Sequence, residues 1–144
     1  MGENAIMLYL GEQTSPEVSA LVQAAAAAVE SALGNDLVDL VPSYASLLIV
    51  YDALATDHLS VAHRVRGSLD TLGEMSTREG RTVVLPVYYA PEAGADLEAV
   101  AARAGLDTEE VIALHTGAEY RVYAIGFAPG FAYLGEVDER IATP

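Results

Sequence analysis

Two short apolar runs, Leu37 to Val41 and Ser46 to Tyr51, stand four residues apart across Pro42-Ser43-Tyr44-Ala45. Strand-like runs of this length, joined by a connection of that size and composition, close as a β-hairpin. Whatever this chain folds into has to cover that hairpin, and the flanking sequence supplies the cover. Ala5 to Leu10 reads as a strand ending at Gly11. Ser15 then serves as an N-cap with Pro16 at the first helical position. Val18, Leu21, Val22, Ala25, Val29 and Leu33 recur at helical spacing, and Gly34-Asn35 stops the helix. The alanines Ala24 to Ala28 make a thin face that lets this helix lie close to a sheet. A second helix, capped at Thr56 or Asp57, is expected to turn Leu59, Ala62, Val65, Leu69 and Leu72 inward. Arg64 and Arg66 fall toward its polar side as solvated charges. Arg81 to Tyr89, RTVVLPVYY, is β-rich, and Pro86 marks it as an edge strand or a break between sheets. The order β-α-β-β-α-β is the split arrangement of ferredoxin-like α+β domains, which predicts a first domain over residues 1–89.

Pro91 to Gly94 forms a turn, and residues 90–144 read as a second unit. Leu97, Val100, Ala101 and Ala104 make one helical stripe ended by Gly105. Asp107 opens another helix with Glu110 three residues on, a capping-box pattern, and Gly117 closes it. A strand from Glu119 to Phe127 follows, then a turn spelled Gly-Phe-Ala-Pro-Gly-Phe. The helix pair has the spacing of a helix-turn-helix. Its second helix, however, would present Asp107, Glu109 and Glu110 to phosphate, so DNA binding is rejected.

Charge and residue usage remove further classes. The formal net charge is −14, which repels nucleic acid and anionic membrane alike. No apolar run reaches the roughly 18–20 residues that span a bilayer, and no leader is apparent, so a cytoplasmic protein is expected. There is no cysteine, which excludes thiol catalysis and Cys-ligated zinc, and with scattered histidines no metal site is expected. All seven cations are arginine. Without lysine the chain cannot form a Schiff base, complete a Walker-type phosphate loop or carry biotin. Any nucleotide must be met by arginine, backbone amides or another subunit.

The candidate chemistry gathers between His115 and Tyr133. His115 lies near the C-terminus of its helix, five and six residues before Tyr120 and Arg121, whereas His58 and His63 read as surface residues. Arg121 either pairs with Glu119 or acts as a bidentate fork for a carboxylate or phosphate. In the turn, Phe127, Phe131 and Tyr133 offer flat apolar walls. Gly126 and Gly130 permit close backbone approach and φ values barred to other residues, while Pro129 stiffens the connection. The turn is thus either a structural aromatic corner or an amide cradle for an anion.

His115-Thr116, Glu119-Tyr120-Arg121-Val122-Tyr123 and Gly126-Phe127-Ala128-Pro129-Gly130-Phe131-x-Tyr133-Leu134-Gly135 together resemble the allophanate hydrolase subunit 1 family. Pro42 to Leu48 and Pro86-Val87-x-Tyr89 resemble it as well. That family takes in a component of the bacterial ATP-dependent 5-oxoprolinase, the Kip-type inhibitors of a sensor histidine kinase, and relatives of the carboxyltransferase half of biotin-dependent urea carboxylase. The resemblance implies a ferredoxin-like domain followed by the start of a cyclophilin-like β-barrel, with further strands expected beyond Pro144. It implies one component of an ATP-dependent hydrolase that opens the cyclic amide 5-oxo-L-proline to glutamate with A and C subunits, ATP being bound together with those partners. On that reading His115, Tyr120 and Arg121 are catalytic. Gly126, Phe127, Pro129, Gly130, Phe131 and Tyr133 then bind a small anionic metabolite. Kinase inhibition without catalysis, or carboxyl transfer with biotin carried elsewhere, are the alternatives it leaves.

Overall fold

The computed structural model describes residues 4–70, 72 and 80–143. It is a mixed α/β chain that divides into two compact units, Met1–Glu79 with Tyr123–Tyr133, and Gly80–Val122 with Leu134–Pro144.

The first unit is built on β1 (Ala5–Tyr9), α1 (Pro16–Leu33), β2 (Leu37–Pro42), β3 (Ser46–Tyr51) and α2 (His58–Leu69), with a 3-10 turn over Gly34–Asp36. The sheet order is β1-β3-β2 and both pairings are antiparallel. In the central strand β3 the two-residue period separates the faces: Leu47, Ile49 and Tyr51 are buried, while Ser46, Leu48 and Val50 are half-buried. Ile49 sits opposite Ile6 on one side and Leu40 on the other. Onto that inner face pack Ala25, Val29 and Leu33 of α1 and Val61 and Val65 of α2. Each large aliphatic side chain removed from water here contributes about 1.5–3 kcal/mol. Ser15 Oγ accepts from the amide of Val18 at 3.2 Å, and Pro16 opens α1 without wasting a donor. Ala25 at 0% exposure is the small residue that brings α1 onto the sheet.

In the second unit α3 (Leu97–Ala104) ends at Gly105, whose φ of 68° is left-handed. The Leu106 amide then reaches back to the Ala101 carbonyl at 3.0 Å, a Schellman closure. The capping box of α4 (Thr108–Thr116) is complete: Glu110 N donates to Asp107 Oδ1 at 2.7 Å, and Asp107 N to Glu110 Oε2 at 3.0 Å. Ala101, Val111 and Ile141 form its core. Strands β4 (Arg121–Ile125) and β5 (Ala132–Gly135), whose stretch Tyr123–Tyr133 belongs to the first unit, pair as a two-stranded sheet.

Three expectations need correction. Residues 81–89 form no strand, and Val84 (89% exposed) and Tyr88 (72%) lie in water. Their β-propensity finds no partner strand among the described residues, and propensity without pairing does not hold a strand. On α2, Leu59 faces solvent at 79% exposure, and the buried position is Val61. The stripe runs Val61-Val65-Leu69, so it begins two residues later than expected. Arg64 is no solvated charge. Its Nε and Nη2 donate to the Ala32 carbonyl at 3.1 and 2.6 Å, Nη2 also to the Leu33 carbonyl at 3.0 Å, and Nη1 to Asp36 at 2.5 Å. The last turn of α1 has no basic residue of its own, so Arg64 supplies from α2 the charge that its orphan carbonyls attract.

Candidate functional site

His115 sits half-buried in the last turn of α4, on the side the apolar stripe of that helix defines. Two tyrosines enclose it. The Tyr89 hydroxyl is hydrogen-bonded to His115 Nδ1, with the rings edge to face at 5.9 Å. Tyr120 lies across the imidazole at 5.3 Å, and its hydroxyl donates to the His115 carbonyl at 2.9 Å. Burial pushes the Tyr120 hydroxyl above its ordinary value, with neighbouring Tyr89 and Asp138 adding to the rise. Tyr120 is therefore a committed donor at neutral pH. Among the described residues Nε2 of His115 has no hydrogen-bond partner, and it is the ring nitrogen left for a ligand. Asp138 is engaged elsewhere. Its carboxylate takes Arg140 Nε at 2.9 Å and Nη2 at 2.8 Å, which holds it well below the usual carboxylate range, at about 2.

Of the three residues expected to be catalytic, His115 and Tyr120 are thus brought into contact. Arg121 follows on β4, exposed, and its guanidinium makes no ion pair among the described residues, including with Glu119. It is free to meet an anion. Tyr89 stood out in the sequence only for family likeness. Its hydrogen bond spans 26 residues of sequence, and no local pattern marks such a pairing.

The glycine-aromatic turn belongs to the other compact unit. The amides of Gly126, Ala128 and Phe131 are spent inside it, on the carbonyls of Phe131 (3.0 Å), Gly126 (2.7 Å) and Ala128 (3.0 Å). The backbone freedom is not distributed as expected. Gly130 is left-handed at φ 78°, but the other left-handed residue is Phe127 at 63°, not Gly126. A Cβ on Gly126 would meet only the Tyr133 ring, at an ordinary 3.9 Å. A bulky residue held at positive φ is strained, and such strain concentrates at functional turns. It aims the Phe127 ring outward, 91% exposed. From there the rings run in a ladder: Phe127 on Phe131 (5.6 Å), Phe131 on Tyr133 (5.1 Å), Tyr133 on Tyr44 (6.4 Å), and Tyr44 stacked on Tyr123 (5.8 Å). Tyr44 comes from the β2–β3 connection, so the two regions that carry the sequence resemblance are in contact within this unit. Pro129 occupies the turn's exposed tip.

Among the described residues no group of three or more His, Cys, Asp or Glu side chains is placed to hold a metal ion. No described helix is long and apolar enough to cross a membrane.

Comparison with known proteins places these features. The chain is 37% identical to the 5-oxoprolinase B subunit of Bacillus subtilis (strain 168), over all of this chain and 64% of that protein. It is 46% identical over 66 residues to the 5-oxoprolinase B subunit of Escherichia coli O157:H7, which covers 46% of this chain and 30% of the relative. It therefore spans less than two thirds of the length of these relatives. Crystal structures of TTHA0988 in two space groups superpose with TM-scores of 0.78 and 0.80 at 35% and 36% identity, over 98% and 97% of this chain and 26% of theirs. The family described as carboxyltransferase domain, subdomain C and D, matches residues 1–144 from end to end, and the chain belongs to that family.

Proposed function

We propose that this chain works as the B subunit of an ATP-dependent 5-oxoprolinase, opening 5-oxo-L-proline to glutamate in a cytoplasmic complex with A and C subunits. The observation that carries the reading is the identity of 37% to the Bacillus subtilis protein along the whole of this chain. The geometry supports it. A lactam is a stable amide whose carbonyl needs activation, and phosphorylation by ATP bound with the partner subunits supplies it. His115, enclosed by Tyr89 and Tyr120, serves as an acid/base group or as an orienting donor. The exposed guanidinium of Arg121 holds a carboxylate or phosphate. Phe127, Phe131 and Tyr133 give a small anionic metabolite its apolar walls, with Gly126, Pro129 and Gly130 shaping the turn.

The same reading takes residues 1–89 as a ferredoxin-like domain. Residues 90–144 then begin a cyclophilin-like barrel. A carboxyltransferase role is favoured by the family's own description, and it requires biotin held outside residues 1–144, which contain no lysine.

Lactam turnover by the reconstituted three-subunit complex is the test. His115→Ala and Arg121→Ala are each expected to lower it by about a hundredfold or more. Undiminished turnover in both removes them from the site.

A further inference from the structure

The paired tyrosines Tyr88 and Tyr89 are used in opposite ways. The Tyr88 hydroxyl points to solvent and donates to Glu92 at 2.9 Å. The Tyr89 hydroxyl turns inward to Nδ1 of His115. We infer that Tyr89 is a positioning residue for His115: its hydroxyl donates to Nδ1, keeps the proton of the neutral ring on Nε2, and presents that N–H to the substrate.

The direction of the bond follows from acid strength. A phenol, with a pKa of about 10, is a far stronger acid than the N–H of a neutral imidazole. The unprotonated imidazole nitrogen is in turn a better acceptor than a phenol oxygen. Of the two arrangements, O–H donating to Nδ1 is the stronger. A neutral imidazole carries a single N–H, so a bonded Nδ1 leaves it on Nε2. Nothing facing the ring among the described residues competes for Nδ1. Tyr120 spends its proton on the His115 carbonyl, and the nearby carboxylate of Asp138 is occupied by Arg140. The orienting group is therefore a neutral donor rather than a carboxylate.

The chemical consequence is a choice between the two roles open to this histidine. With Nδ1 accepting, Nε2 is a donor. It suits hydrogen bonding to the lactam carbonyl oxygen as negative charge develops there, and not proton abstraction. This rests on the reading of His115 as a site residue given above.

The test is 15N spectroscopy of the full chain labelled at histidine, at a pH where the ring is neutral, with the His115 resonances assigned by their loss in His115→Ala. The expected spectrum has a protonated Nε2 and an imine-type Nδ1 displaced by an accepted hydrogen bond, with a scalar coupling to the Tyr89 hydroxyl proton. Tyr89→Phe returns Nδ1 to the unbonded position. A proton found on Nδ1, or an Nδ1 resonance indifferent to Tyr89→Phe, overturns the inference. If that variant does not fold, the wild-type tautomer and the coupling decide by themselves.

In the reconstituted complex Tyr89→Phe is expected to lower kcat roughly tenfold, the value of one lost hydrogen bond, with KM unchanged. Turnover abolished by His115→Ala yet untouched by Tyr89→Phe counts against positioning. Turnover untouched by both, with the spectrum as expected, sinks the lactamase reading and leaves the hydrogen bond assigned.

Discussion

With one guanidinium, Arg64 closes the end of a helix it does not belong to. Three of its bonds go to the last carbonyls of α1 and one to Asp36. Arg64→Ala leaves those acceptors short of partners and is expected to cost about 1–3 kcal/mol in urea unfolding. Arg66, exposed on the same helix, is the control, and Arg66→Ala is expected to stay within about 0.5 kcal/mol. Asp138 gives a prediction in pH. Its carboxyl is held at about 2, against an ordinary 3.8, chiefly by the hydrogen bond from the Arg140 side chain. A depressed carboxylate stabilises the fold above its unfolded pKa and loses that contribution as pH falls through the folded one. The loss belongs between 3.8 and about 2. Carboxyl titration by NMR should place Asp138 near the lower figure, and Arg140→Ala should move it back up.

Among the elements, α2 shows where local pattern and tertiary packing part. The cap was legible to within one residue, Thr56 or Asp57, and it is Asp57 that accepts from the amides of Leu59 and Ser60 at 2.9 and 3.0 Å. The rotation of the helix about its axis was not legible. Leu59-Ala62-Val65 and Val61-Val65-Leu69 are both helical spacings, and only the position of β3 and α1 decides which of the two is covered. Val61→Ala is expected to cost about 1–3 kcal/mol through the cavity it opens, while Leu59→Ala leaves the unfolding midpoint nearly in place. Equal losses from the two would contradict the observed rotation. The caps of α1 and α4 and the Gly105 closure of α3 were, by contrast, readable residue by residue. Each is a bond between neighbours in the chain, set by side-chain type and spacing.

For the molecule as a whole, the segment 81–89 separates propensity from structure. Its valines and tyrosines have the composition of a strand, yet most of the segment is exposed and none of it is paired, whereas Leu47, Ile49 and Tyr51 of β3 are sealed from water. Hydrogen exchange on the isolated chain should find the amides of 81–89 exchanging near the unprotected rate and those of β3 slowest of all. Taken alone, the amino-acid order determined the hairpin, the helix ends, the acidic lysine-free surface and the aromatic-glycine turn, because all of these depend on near neighbours or on counts. Tertiary structure alone decided that Tyr89 meets His115, that Tyr44 joins the rings of Tyr123 and Tyr133, and that Arg64 caps α1. Those contacts join residues 26 or more positions apart, where no periodicity reaches, and they form only once the core of each unit has set the distances.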